Sequence, residues 1–479
     1  MANKIDRRHF LGLLGGATAA TAAGSLISCK KDGDTRLAAY DNVPVGKMTY
    51  RTNSSTHDRV SILGYGMMRL PVMNPDGSPT TERENPNAAV DQKQVNRLVR
   101  YALEHGVNYF DTSPAYCKGT SEQALGTALK AAGVKRDKFY VATKMSNFSP
   151  ETQTREASIE MFQNSLKALQ VDHIDYYLLH GIGMGDGMDS FNQRFMDNGI
   201  LDYLLEQREK GVIRNLGFSY HGDIEVFDYL LANHDKYHWN FAQIELNYLD
   251  WNYAHEIVIR GKHNTDASYL YAELQKRGIP AVIMEPLLGG RLANLSNKLT
   301  NMLKQRDPDH TVASWAFRYA GSPKGVLTVL SGMTFMENLR ENIVTFSPLK
   351  PVTEADKQFL YKVAKEYVDL QTIPCNECNY CMPCPYGLNI PGIFSYYNKC
   401  IKEGNITKDH RDPHYTAARR AFLVGYDRTI PKLRQADHCV GCGKCLEHCP
   451  QSIPIPARMA MISDYTEQLK QQIAVRQEL

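Results

Sequence analysis

The chain has 479 residues, 43% of them hydrophobic, and a formal net charge of +3. That length exceeds one compact core and implies two or three domains. The near-balanced charge gives no electrostatic case for nucleic acid, and no run of like charge suggests an interaction tail. There are eleven cysteines, and eight fall in two tight groups near the C-terminus. Close clusters at short spacing point to metal, whereas scattered even-numbered cysteines would point to disulfides.

Residues 1–29 read as an address and 30–47 as a polar, turn-rich tether. Arg7-Arg8-His9-Phe10-Leu11 precedes an uncharged stretch, Gly12 to Ile27, rich in Ala, Gly and Thr. The stretch is too short and too weakly apolar for a membrane span. An arginine pair before such a core resembles a twin-arginine export signal, and Leu26-Ile27-Ser28-Cys29 resembles a bacterial lipobox. The resemblance implies export by the twin-arginine route, a periplasmic location, and a lipid on Cys29 that anchors the protein to the membrane. A cytosolic protein with an arginine-containing disordered start is the plain alternative.

From residue 48 to 350, short β-rich runs alternate with longer helical patterns, the signature of a parallel sheet with crossover helices. Strands are expected at Ser61–Leu63, Tyr109–Asp111, Phe139–Thr143, Ile174–Leu179, Asn215–Phe218, Phe241–Leu246, Ala281–Met284 and Val326–Leu330. Between them, Val95, Leu98, Val99 and Ala102 share one face of a helix over Val90–Glu104, and Ile159–Leu169 shows the same period. Eight β/α units in about 300 residues fit one (β/α)8 TIM barrel, an α/β fold. Pro71–Asn87 reads as a polar loop near the mouth. Gly181–Gly187 reads as a loop, either a lid or an ordinary connection.

Polar residues close successive strands: Asp111, with Tyr116 just past Pro114, then Lys144, then His180. The C-terminal ends of barrel strands converge on one mouth. Reducing a carbonyl needs hydride at carbon and a proton at oxygen. A phenol can donate that proton, and a neighbouring ammonium stabilises the phenolate left behind. The hydride requires a nicotinamide, since no side chain carries one. In this order and setting, Asp111, Tyr116, Lys144 and His180 resemble the catalytic tetrad of the aldo-keto reductases. The resemblance implies Tyr116 as acid/base, Lys144 lowering its pKa, Asp111 fixing Lys144, and His180 orienting a small-molecule carbonyl or alcohol substrate.

It further implies an NADP or NAD site. Gly66, Met67 and Met68 would form the first cofactor loop, and Ser219 and Gln243 would hold the nicotinamide carboxamide. Pro286 and Leu287 would cross the pyrophosphate, and Gly332, Met333, Glu341 and Asn342 would meet the adenosine. Tyr220 stands where the family usually has Asn. The basic residues that grip a 2′-phosphate are replaced by Gly332 and Asn338, which leaves NAD and NADP both open, with Arg340 as a substitute.

A connecting helix is expected over 351–372, and a ferredoxin-like, mostly α-helical domain over 373–479. The first cysteine group is Cys375-x2-Cys378-x2-Cys381-x2-Cys384-Pro385 and the second Cys439-x2-Cys442-x2-Cys445-x3-Cys449-Pro450. The second has the bacterial ferredoxin spacing; the first is one residue short before its last cysteine. Thiolates suit iron–sulfur clusters, four to a cluster. By the crossed ligation of that class, one [4Fe-4S] cluster takes Cys375, Cys378, Cys381 and Cys449, and the other takes Cys439, Cys442, Cys445 and Cys384. Two zinc sites are the rival, disfavoured by the Cys-Pro endings. The insertion Ile393–Leu433 reads as helical. Cys117 and Cys400 are left over. Clusters beside a reductase imply an electron-transfer partner; the rival function is an electron carrier whose barrel is only a docking scaffold.

Overall fold

The computed structural model describes residues 42–477 apart from 82–84, 86, 257, 260, 261, 371, 408, 409 and 452. The expected export signal, Cys29 and most of the tether therefore lie outside the described residues. Among the described residues, no helix is long and apolar enough to cross a membrane.

Eight strands close into a barrel: β1 (Leu63–Gly66), β2 (Tyr109–Asp111), β3 (Tyr140–Met145), β4 (Ile174–Ile182), β5 (Ile213–Tyr220), β6 (Phe241–Glu245), β7 (Ala281–Met284) and β8 (Val326–Gly332). Their order around the barrel follows the chain, and every neighbouring pair is parallel. Strands covered on both faces read as continuous apolar runs, and all nine residues of β4 are buried. Tyr109, Tyr176, Phe241 and Val282 fill the interior, while the helices pack against the outside in a separate core. A hairpin, Tyr50–Thr52 with Arg59–Ser61, plugs the floor. There the Asp58 carboxylate accepts from the Tyr176 hydroxyl at 2.9 Å and from Asn215 Nδ2 at 3.1 Å. With the floor closed, the C-terminal mouth is the open end.

Several boundaries differ from expectation. Ser61 belongs to the floor hairpin, so β1 starts two residues later than Ser61, at Leu63. β3 and β4 run past Thr143 and Leu179, which puts Lys144 and His180 on strands rather than loops. The loop Pro71–Asn87 contains two short strands, Val72–Met73 and Pro79–Thr80, that form a small antiparallel sheet with Ala89–Val90. The supposed lid is pinned at its start. Asp223 N donates to Gly183 O at 2.9 Å, and a Cβ on Gly183 would lie 2.7 Å from Asp223 N.

The connecting helix, Glu354–Val368, starts at a capping box made by Thr353 and Asp356. The C-terminal region then builds its own core from Ile393, Phe394, Phe422, Tyr426, Met459 and Ile462. Its helices are Ile390–Lys402, Tyr415–Thr429 and Ile455–Gln477. The insertion read as one helical stretch is therefore two helices. Gly404, left-handed at φ +72°, follows the first, and Pro413 precedes the second.

One close approach is set by a missing side chain. Gly126, in the helix Ser121–Ala132, faces the end of the helix Arg155–Leu169, and a Cβ there would sit 2.5 Å from Ala168 O. Backbone cannot yield cheaply, so Gly126→Ala is expected to destabilise the barrel by about 1–3 kcal/mol, read as a lowered midpoint in thermal or urea unfolding.

Candidate active site

Lys144 is fully buried on β3, and its ammonium donates to Asp111 Oδ1 at 2.6 Å and to Thr112 O at 2.8 Å. Burial raises the Asp111 carboxyl and lowers the Lys144 ammonium, and their contact opposes both shifts. Lys144 Nζ lies 4.9 Å from the centroid of the Tyr116 ring, and that ring meets His180 edge-on at 5.9 Å. Tyr116 opens a tight turn whose next residues, Cys117 (φ 48°) and Lys118 (φ 54°), are left-handed, a strained turn beside the candidate site. All four expected residues therefore meet at one mouth.

Burial pushes the Tyr116 phenol well above its usual value. The ammonium lies over the ring and spends its hydrogen bonds on Asp111 and Thr112.

His180 is held by two serines that were not anticipated. Ala115 N donates to Ser113 Oγ at 3.0 Å, Ser113 Oγ lies 2.8 Å from Ser146 Oγ, and Ser146 Oγ lies 2.6 Å from His180 Nδ1. Run in that direction, the chain makes Nδ1 an acceptor and leaves the hydrogen on Nε2. Burial lowers His180 well below the usual imidazole value, and Lys144, His221 and Arg194 add to the effect. Arg194, from the π-turn Asn192–Met196, donates to His180 O at 2.6 Å and Gly181 O at 3.2 Å. Burial brings this guanidinium down to about 9. A signal for the serines existed: each follows a tetrad residue by two positions, Asp111 to Ser113 and Lys144 to Ser146.

The nicotinamide end of the expected cofactor site fits. Ser219 and Gln243 are register partners on β5 and β6, and Gln243 Oε1 is buried with no hydrogen-bond partner, an acceptor suited to an amide N–H. Ser219 Oγ accepts from Gly181 N at 2.9 Å. Gly66 and Gly332 pair across β1 and β8, and Met68 lines the mouth. Met67 and Met333 have fully buried side chains, so they offer only backbone.

The adenosine end fits less well. Asn342 Nδ2 donates to Ser331 Oγ at 2.9 Å, and the Glu341 carboxylate accepts from the Thr311 hydroxyl. Both side chains brace the barrel rather than stand open. Arg340 lies over the Tyr101 ring at 5.7 Å, turned toward the helix Gln92–Glu104. Pro286 and Leu287 lie in a loop that the cysteine-bearing region holds from outside. Arg69 donates to Asn376 O, and a Cβ on left-handed Gly289 would come 2.3 Å from Asn376 Cβ.

Cys375, Cys378 and Cys381 each feel the charge of Cys449, and Cys381 feels Cys445 as well, while Cys445 feels Cys439, Cys442 and Cys384. Burial raises Cys375 and Cys378 to about 12, while Cys442 is exposed. The nearness of Cys449 to the first group and of Cys384 to the second is compatible with the crossed pattern that the ferredoxin resemblance implies. Among the described residues, no three thiols, imidazoles or carboxylates converge as the ligands of one ion would. Cys117 Sγ contacts Met67 O and Met68 O, and Cys400 is buried in the C-terminal core. A cavity of about 2940 Å³ is lined by Tyr116, Phe148 and Arg194 of the barrel and by Cys378 and Tyr380 of the cysteine region. Small-ligand pockets usually measure about 300–1,000 Å³.

Comparison with known proteins agrees with this geometry. The chain belongs to the aldo/keto reductase family, whose model matches residues 63–357, and it is an oxidoreductase of that family. A model of the 4Fe-4S dicluster domain matches residues 374–453. L-galactose dehydrogenase of Arabidopsis thaliana is 25% identical over 319 residues, covering 64% of this chain and 90% of that one. The uncharacterized oxidoreductase YqkF of Bacillus subtilis (strain 168) is 25% identical over 295 residues, covering 57% of this chain and 90% of that one. The solved holo form of aldo-keto reductase AKR11C1 from Bacillus halodurans superposes with a TM-score of 0.51 at 23% identity, covering 66% of this chain and 96% of that one.

Two outcomes are expected. Ser146→Ala frees the His180 ring and lowers kcat about tenfold, an order-of-magnitude figure for a lost orienting hydrogen bond, with nucleotide affinity unchanged by fluorescence titration. Because burial lowers His180, the ring is already neutral well below pH 6.5 and stays so as pH rises. The pH–rate profile of kcat/KM then shows no imidazole limb between about pH 6 and 8.

Proposed function

We propose that this protein interconverts a carbonyl and an alcohol through a nicotinamide cofactor, and that its iron–sulfur clusters connect that reaction to an electron-transfer partner. The observation that carries the reading is the buried Asp111–Lys144 pair beneath the Tyr116 ring, with His180 at its edge. When bound, the nicotinamide supplies or accepts hydride at the substrate carbon. Tyr116, kept protonated by burial, gives its proton to the carbonyl oxygen in reduction and takes it back in oxidation. Lys144, sited by Asp111, stabilises the phenolate once the proton has left. His180 donates Nε2–H to the same oxygen and orients it. Ser219 and Gln243 would hold the carboxamide of the cofactor.

Cys375, Cys378, Cys381 and Cys449 would hold one cluster, and Cys439, Cys442, Cys445 and Cys384 the other, and one-electron carriers of this kind would link the protein to an electron-transfer partner. The arginine pair and lipobox support twin-arginine export and a lipid on Cys29 in the periplasm. That route carries folded proteins, which suits a chain that acquires clusters and nucleotide before leaving the cytoplasm. Free nucleotide is scarce outside, so the bound nucleotide is retained and recycled in place.

Tyr116→Phe is expected to lower kcat by at least about 100-fold while nucleotide binding stays within twofold; retained turnover would count against the assignment. Cys449→Ser should remove the signal of one cluster and roughly half of the iron, with four irons to each cluster, by iron assay and electron paramagnetic resonance. Loss of neither cluster would contradict Cys449 as a cluster ligand.

A further inference from the structure

The C-terminal region docks on the reaction mouth through its first cysteine loop. Arg69, just past β1, donates to Asn376 O, and the Asn376 side chain hydrogen-bonds the Glu285 carboxylate after β7. Gly289 lets Asn376 sit directly against the same loop, where any Cβ would collide with it. Glu377 (φ 56°) and Asn379 (φ 64°) turn the segment left-handed on either side of Cys378. The next residue is Tyr380, flanked by Cys378 and Cys381.

Tyr380 is half-buried and lines the cavity that contains Tyr116. Glu285 Oε2 is buried with no hydrogen-bond partner. A phenol that can donate and accept therefore lines the same chamber as the acid/base residue, and an unused carboxylate oxygen belongs to the loop against which Asn376 is seated. Neither group has a part in the tetrad chemistry. A substrate hydroxyl, which also donates and accepts, matches this pair.

The geometry points to Tyr380 as a substrate-binding residue supplied by the cluster region, one that recognises a hydroxyl next to the reacting carbonyl. The reaction site is then complete only with the C-terminal region docked. This rests on the carbonyl/alcohol reading given above. Removing the Tyr380 hydroxyl weakens a hydroxylated substrate and spares one without hydroxyls, because an unpaired polar group matters only to the ligand that would have paired with it.

The test uses the full chain with its clusters and nucleotide, as wild type, Tyr380→Phe and Tyr116→Phe. DL-glyceraldehyde and propanal are the probes, alike in carbon number and different in hydroxyls. Turnover is measured for both. Binding is followed by quenching of nucleotide fluorescence, which needs no turnover. In Tyr380→Phe, the glyceraldehyde KM and Kd are expected to rise about tenfold, with the propanal constants, iron content and cluster absorbance as in wild type. Equal effects on both probes, no change for either, or no wild-type preference for glyceraldehyde would overturn the assignment. Tyr116→Phe separates the two readings. Turnover persisting in that variant refutes the acid/base role, while the Tyr380-dependent difference in Kd still decides the role proposed here.

Discussion

The site depends on one buried ion pair. Lys144 and Asp111 lie inside the barrel with almost no solvent contact, 2.6 Å apart. Desolvation opposes both charges, and each is kept only because the other is there. Leaving one partner alone in such a place typically costs about 3–5 kcal/mol. The pair also has little freedom, because Lys144 sits within β3 and Asp111 ends β2, adjacent strands of a closed barrel. The Tyr116 ring rests over the ammonium, so the position of the phenol follows from the position of the pair.

Around that pair the groups differ in how firmly they are held. His180 lies on β4, with its ring fixed by Ser146 and its backbone by Arg194. Tyr116 is held by a strained turn rather than a strand. Tyr380 comes from another part of the chain, four residues past Asn376, which is seated on Gly289 and Arg69.

The cysteine-bearing region solves a different problem. Two loops rich in ligands supply few apolar side chains, so they need a core from elsewhere. The helices Ile390–Lys402, Tyr415–Thr429 and Ile455–Gln477 supply it, burying Phe394, Phe422, Met459 and Ile462. Their packing brings Cys449 to the first group and Cys384 to the second. It also separates the environments: Cys378 is sunk toward the barrel mouth, and Cys442 is exposed.

The barrel, the tetrad and the two cysteine groups were legible in the sequence because each is written locally. Strand runs of one period, an acid or base at the strand end, and C-x2-C spacings all survive without knowledge of the fold. The pairing of Ser219 with Gln243 was also within reach, through resemblance. What escaped was every feature set by burial or by contact between distant segments. The upward push that burial gives Tyr116 depends on how completely the chamber excludes water. The serine chain behind His180 depends on β2, β3 and β4 lying side by side. The commitments of Glu341 and Asn342 to Thr311 and Ser331 depend on how one helix leans on β8. Composition and spacing determined which chemical groups this protein has and which mouth they share. Only the tertiary structure decided how deeply each is buried and what it spends its hydrogen bonds on, since desolvation and long-range packing leave no trace in a local pattern.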